Sequence, residues 1–262
     1  MIEALRHIDT INPLRNKNDF LNIPIDLLGY AIRWKKVNQV KLFIVLKTLF
    51  NYRFICDRET INLICKVAGY KQIKTFESNF KWLVSHKWVT FCKKYCAIKG
   101  YNKLKINKCF MSRKGVQFTP AYDLEHFRAF IYGAVITYCM KRKWFLDRES
   151  GIEKRSPVKR SRRKPVSYNL PLSYLSAILN ISKSSVSNYK RIAEEAGYIN
   201  YKKDYEKLEN ISPRYFYNYK MYSDIENFNK LRVVNGVLCI QQPDKITTNM
   251  VVKTKRNMRK KT

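Results

Sequence analysis

From Leu170 to Leu208 the chain reads LPLSYLSAILNISKSSVSNYKRIAEEAGYINYKKDYEKL, and its apolar positions fall into two helical runs separated by a short break. Leu172, Leu175, Ile178 and Leu179 recur at helical spacing, and Pro171 suits a first turn, where its missing N–H costs nothing. Asn180 and Ile181 make the turn. Ser182 is placed to cap a second helix over 183–196, on which Val186, Tyr189, Ala193 and Ala196 share one face. Gly197 stops that helix, and Tyr198, Ile199 and Tyr201 begin an extended segment.

Residues 57–91 repeat the pattern. Ile61, Ile64 and Val67 line one helix, Gly69 and Tyr70 take the turn, Phe76, Phe80 and Leu83 line the next, and Trp88, Val89 and Phe91 start a strand. Phe76 falls where Val186 falls, Leu83 where Ala193 falls and Val89 where Ile199 falls, all at one offset; in the first helix the offset is one residue larger. Each unit is preceded by an apolar helical run, VKLFIVLKTLF at 40–50 and FRAFIYGAVITYCM at 127–140. Two units make a tandem, not a solenoid.

Between the second unit's helices lies a loop, 147–168, with eight basic residues, two prolines and a glycine. In LRVVNGVLCIQQ, Asn235-Gly236 between apolar runs predicts a two-residue hairpin. The segment after Asp244 has seven basic residues and no acid, and is expected to be a disordered phosphate tether. In FCKKYCAIKGYNKLKINKCF, Lys93, Lys94, Lys99, Lys103, Lys105 and Lys108 crowd the strand region after the first unit, with a turn expected at Gly100. The expected divisions are an N-terminal segment 1–17, a first domain 18–120, a second 121–225, a β-hairpin 226–243 and a basic tail 244–262.

Charge turns this architecture toward a partner. Among 262 residues, 52 Lys+Arg face 20 Asp+Glu, a net of +32. Such an excess repels itself in the compact state and attracts polyanions, with nucleic acid first and an anionic membrane surface or ribosomal RNA as alternatives. No apolar run approaches the roughly 20 residues of a bilayer span, and MIEALRHIDTINPLRNKNDF lacks the apolar stretch of a secretory signal. The seven cysteines form no framework and are read as reduced thiols in the cytosol.

The second unit resembles winged-helix DNA-binding domains, through Leu175, Ile178, Ile181, Ser182, Ser185, Val186, Ser187, Gly197, Tyr198 and Ile199. With two such units, the chain is similar to the tandem winged-helix replication initiators of plasmids and phages. FLNIPIDLLGY at 20–30 is similar to the extended lead-in of phage replication and helix-turn-helix proteins. The resemblance implies a mainly α fold with small antiparallel β wings, arranged as two tandem winged-helix domains. It also implies binding of double-stranded DNA and recruitment of host replication proteins; the scattered thiols point to a cytoplasmic location, and no cofactor is expected.

If 183–196 is a recognition helix, Lys183, Ser184, Ser185, Ser187, Asn188 and Arg191 face DNA. Asn188 and Ser185 are the base readers, since asparagine offers two hydrogen bonds to an adenine edge. Lys183, Lys190 and Arg191 are expected on phosphates. The first unit offers Lys74, Thr75, Ser78 and Lys81, with Gln72 and Asn79; contact with bases and homodimerisation are both open for it. Glu77 is acidic where a phosphate-facing residue would not be. In the loop, Arg160, Arg162, Arg163 and Lys164 resemble a minor-groove arm.

Catalytic signals are thin. His7, His86 and His126 are not paired at metal spacing. Acid-x-acid triplets occur at Asp57/Glu59, Asp123/Glu125, Asp147/Glu149, Asp204/Glu206 and Asp224/Glu226, but Asp57 and Asp123 sit where helix N-caps belong. Phosphate-binding glycine motifs are missing. The expected activity is therefore binding without catalysis and without metal. A transcriptional regulator, an RNA-binding or architectural protein and a metal-dependent nuclease are the rivals.

Overall fold

The computed structural model describes residues 20–50, 52–92, 94–149, 166–207 and 231–254. The chain opens with β1 (Leu21–Pro24), α1 (Ile25–Arg33) and α2 (Val37–Leu49). The first unit follows: β2 (Arg53–Phe54), α3 (Arg58–Ala68), α4 (Ile73–Ser85), β3 (Val89–Cys92) and β4 (Tyr95–Ile98). Next come β5 (Lys114–Phe118), a short α5 (Pro120–Asp123) and the long α6 (Phe127–Glu149). The second unit holds β6 (Ser167–Asn169), α7 (Leu172–Leu179), α8 (Lys183–Glu195) and β7 (Asn200–Lys207). The chain then adds β8 (Leu231–Val234), β9 (Val237–Thr247) and β10 (Val252–Thr254). The fold is mainly helical with small antiparallel sheets.

The repeat extends to sheet topology. In the first unit the order is β2-β4-β3, and in the second it is β6-β9-β7, with β8 also paired to β9. Each time, the strand before the helix pair and the strand after it flank a third strand from farther along the chain. A further sheet, β1-β5-β10, joins the beginning, middle and end of the described chain. Its strands carry Ile23, Val116, Phe118 and Val252 into the core.

Local chemistry sets the helix ends. Asp57 caps α3 by accepting from Thr60 N at 2.8 Å, and Gly69 ends it at φ +69°. Ser182 caps α8 by accepting from Ser185 N at 3.1 Å. Between α7 and α8, Asn180 takes the left-handed conformation that the turn needs. Asn235 and Gly236 both have positive φ, 51° and 76°, as a two-residue hairpin requires.

One continuous apolar core runs through both units. Arg33, at the end of α1, donates through Nε and Nη2 to the carbonyls of Leu179 and Ile178 at the end of α7. This satisfies helix-terminal carbonyls with a cation, which the helix dipole also favours. Asp26 is buried and accepts from the backbone N–H groups of Phe110 (2.7 Å) and Ser112 (2.8 Å), pinning an irregular segment to α1.

Four expectations are corrected. The lead-in at 20–30 is extended only to Pro24; Ile25, Leu27, Leu28, Ala31 and Ile32 are buried on α1, and that burial favours a helix. Gly100 is not the hairpin turn. The chain reverses between Cys92 and Tyr95, which pair, and Gly100 leads into a single 3-10 turn at Tyr101–Lys103 because Leu104 is drawn into the core. The basic tail is ordered from Lys245 through Thr254, while 255–262 lie outside the described residues. Ile246 and Val252 are buried, and the segment through Thr254 pairs with β6, β7 and β5. The hairpin at 226–243 is no separate piece either, since β9 is the middle strand of the second unit's sheet.

Candidate nucleic-acid interface

The exposed side of α8 is set by what its other side touches. Val186 and Ala193 are buried. Tyr189 stacks on Tyr132 of α6, ring centres 4.0 Å apart and ring planes nearly parallel. Tyr122 Oη donates to the Ala196 carbonyl at 3.2 Å, holding the end of the helix. Below that end, Tyr198 Oη donates to Asp123 Oδ1 at 2.7 Å. Thr248 Oγ1 donates to the Tyr198 carbonyl (3.2 Å) and shares a bond with Thr137 Oγ1 (2.9 Å). Gly133 lets α6 approach this cluster: a Cβ there would lie 2.6 Å from Tyr198 Cβ and 3.1 Å from Met250 Sδ. The segment between β9 and β10 therefore holds Tyr198, just past the end of α8, against α6.

Outward, Lys183, Ser184, Ser187, Asn188 and Arg191 are exposed. Ser185 is half-buried, and its hydroxyl shares the Ser182 hydroxyl with Ser184, each at 2.9 Å. Its side chain thus belongs to the capping network. Lys190 is the clear correction on this helix. It is 2 % exposed, forms a salt bridge with Asp244 of β9, and lies 4.3 Å from the Tyr201 ring centre. A lysine held this way does not reach a phosphate. Its spacing from Val186 and Ala193 belongs to the inward stripe.

On α4, Lys74, Thr75, Ser78 and Lys81 are exposed, with Gln72 before them. Asn79 is buried and donates to the Thr75 carbonyl at 2.9 Å, which removes it from any surface role. Beside Glu77 and Lys81 is an apolar cleft of about 460 Å³, floored by Ile61, Phe76 and Phe80 and flanked by the exposed Phe91. Lys94, Lys103, Lys105 and Lys108 are exposed and Lys99 is half-buried. Lys93 and the loop residues Arg160, Arg162, Arg163 and Lys164 lie outside the described residues.

Of the acid triplets, Asp57 is a helix cap, and its Thr60 bonds hold its carboxyl below the usual carboxylate range. Asp123 is not an N-cap. It closes α5, accepts from Thr119 N and Tyr198 Oη, and is pushed upward chiefly by burial. Asp147 accepts from Tyr168 Oη at 2.7 Å and pairs with Lys143. Asp204 accepts from Asn169 at 2.8 Å. Asp224 and Glu226 lie outside the described residues. Among the described residues no cluster of His, Cys, Asp and Glu is arranged to hold a metal ion, and no helix is long and apolar enough to cross a membrane.

Sequence reasoning missed Asp244, Glu195 and Arg33. Glu195 had a readable signal, its i,i+4 spacing from Arg191. Asp244 and Arg33 act across long sequence separations and had none. Comparison with protein-family models, curated proteins and solved structures gives no match to this chain.

Proposed function

We propose that this chain is a sequence-specific double-stranded DNA-binding protein, built as two tandem winged-helix units and acting without catalysis. The observation that carries the reading is the exposed face of α8, where Lys183, Ser184, Ser187, Asn188 and Arg191 follow a capped turn while Val186, Tyr189, Lys190 and Ala193 anchor the helix. A short helix braced in this way, with small polar and basic side chains in its first turns, suits a major groove. The net charge of +32 supplies affinity through counterion release.

The role we assign is initiation of replication of a plasmid, phage or other mobile element in the cytoplasm, with host replication proteins as partners. It rests on the resemblance of the tandem arrangement to such initiators. The first test is selection of binding sites from random duplex DNA at about 150 mM salt, where weak phosphate-only binding is suppressed. An enriched motif is expected. Tight binding confined to low salt, with no motif, sinks the reading. Mapping occupancy on the host genome then tests the role, with origin repeats expected.

A further inference from the structure

Three exposed side chains on α8 form a hydrogen-bonded row. Arg191 Nη1 donates to Glu195 Oε1 at 2.7 Å, and Arg191 Nη2 donates to Asn188 Oδ1 at 3.0 Å. The spacings, three residues and four, put all three on one stripe of the helix.

This row matters because an asparagine amide has two unlike edges. One edge accepts a hydrogen bond and the other donates, and a half-turn of the amide exchanges them. A guanidinium carries only donors. Beside Arg191 the amide must present its oxygen, which directs its NH2 group away. Arg191 is itself tethered by Glu195, whose carboxylate balances its charge. The row is thus a chain of constraint running from Glu195 to Asn188.

We propose that Glu195 and Arg191 are positioning residues that fix Asn188 as a hydrogen-bond donor, so that the base edge it meets must offer an acceptor. This rests on the proposed reading of α8 as a duplex-DNA reader. Purine N7, guanine O6 and thymine O4 are acceptors in the major groove. Cytosine offers only its amino group there, a donor, and is excluded at that position. Arg191 then holds a neighbour in register and does not bind a phosphate, contrary to the expectation from sequence.

The test uses the full chain and the double variant Arg191→Met/Glu195→Ala. It removes one charge of each sign, so the net charge stays at +32. Both side chains are well exposed, 60 % and 58 %, so the fold should survive; circular dichroism checks this. Wild type and variant are each put through site selection from random duplex DNA, and each is titrated with salt on the wild-type motif. The expected result is one motif position where cytosine is depleted about tenfold for the wild type and accepted by the variant, with an unchanged salt slope. An unchanged motif with a slope shallower by about one would make Arg191 a phosphate contact and overturn the proposal. Cytosine enriched by the wild type at the position that responds to Asn188→Ala would overturn it as well. If the wild type enriches no motif, the reading of α8 itself fails, and the positioning role falls with it.

Discussion

Replacing Lys190 by methionine probes how α8 is held. Methionine keeps most of the aliphatic stem and removes the ammonium group. The Lys190 side chain is 3 % exposed and that of Asp244 is 15 % exposed, so the variant leaves a nearly buried carboxylate on β9 without its cation. Removing one partner of a buried pair costs about 3–5 kcal/mol, because the remaining charge is left uncompensated. Some water reaches Asp244, which favours the lower end, about 3 kcal/mol. Loss of the contact with the Tyr201 ring adds about 0.5–1 kcal/mol. The assay is equilibrium urea unfolding followed by far-ultraviolet circular dichroism, with the slope checked for two-state behaviour. Lys190→Met/Asp244→Leu, which removes both charges, should recover most of the loss, since an apolar pair of similar size replaces a buried ion pair at little cost. A loss below about 1 kcal/mol for Lys190→Met, with a salt slope of DNA binding shallower by about one, would mean that Lys190 turns outward to phosphate and would refute the bracing argument.

Two further perturbations test local features. Asp57→Ala should cost about 1 kcal/mol through loss of the α3 cap. Because the Asp57 carboxyl is held below its usual range in the folded state, its contribution is present above the ordinary carboxylate value and is lost as pH falls through the folded value; the wild-type-minus-variant difference in urea midpoint should shrink there. Gly133→Ala should destabilise by about 1–3 kcal/mol, since the new methyl meets Tyr198 Cβ at 2.6 Å and a backbone-proximal atom cannot simply swing away; thermal unfolding reads this directly.

The helices of both units were legible in the sequence because their signals are local. Ser182 and Asp57 cap where hydroxyl and carboxylate can reach a free N–H, Gly69 and Gly197 take positive φ at helix ends, and Asn235-Gly236 makes the predicted reversal. What was not legible depends on distant partners. Nothing around Val252 says that it pairs with Val116, in a strand that also carries Lys253. Nothing near Arg33 says that it donates to the last carbonyls of α7. Lys190 differs, because its place on the Val186–Ala193 stripe was visible and its charge obscured it. Net charge is a property of the whole chain, and it does not show which lysines face water.

The central claim is that α8 reads bases, and the affinities of wild type and Asn188→Ala for the selected duplex and for a scrambled duplex test it most directly. Asn188 is exposed and supports no core contact, so folding should be unaffected. The expected loss is about 1–3 kcal/mol on the selected duplex and little on the scrambled one. Equal losses on both, or none on either, would contradict the claim and turn the interpretation toward RNA or architectural binding.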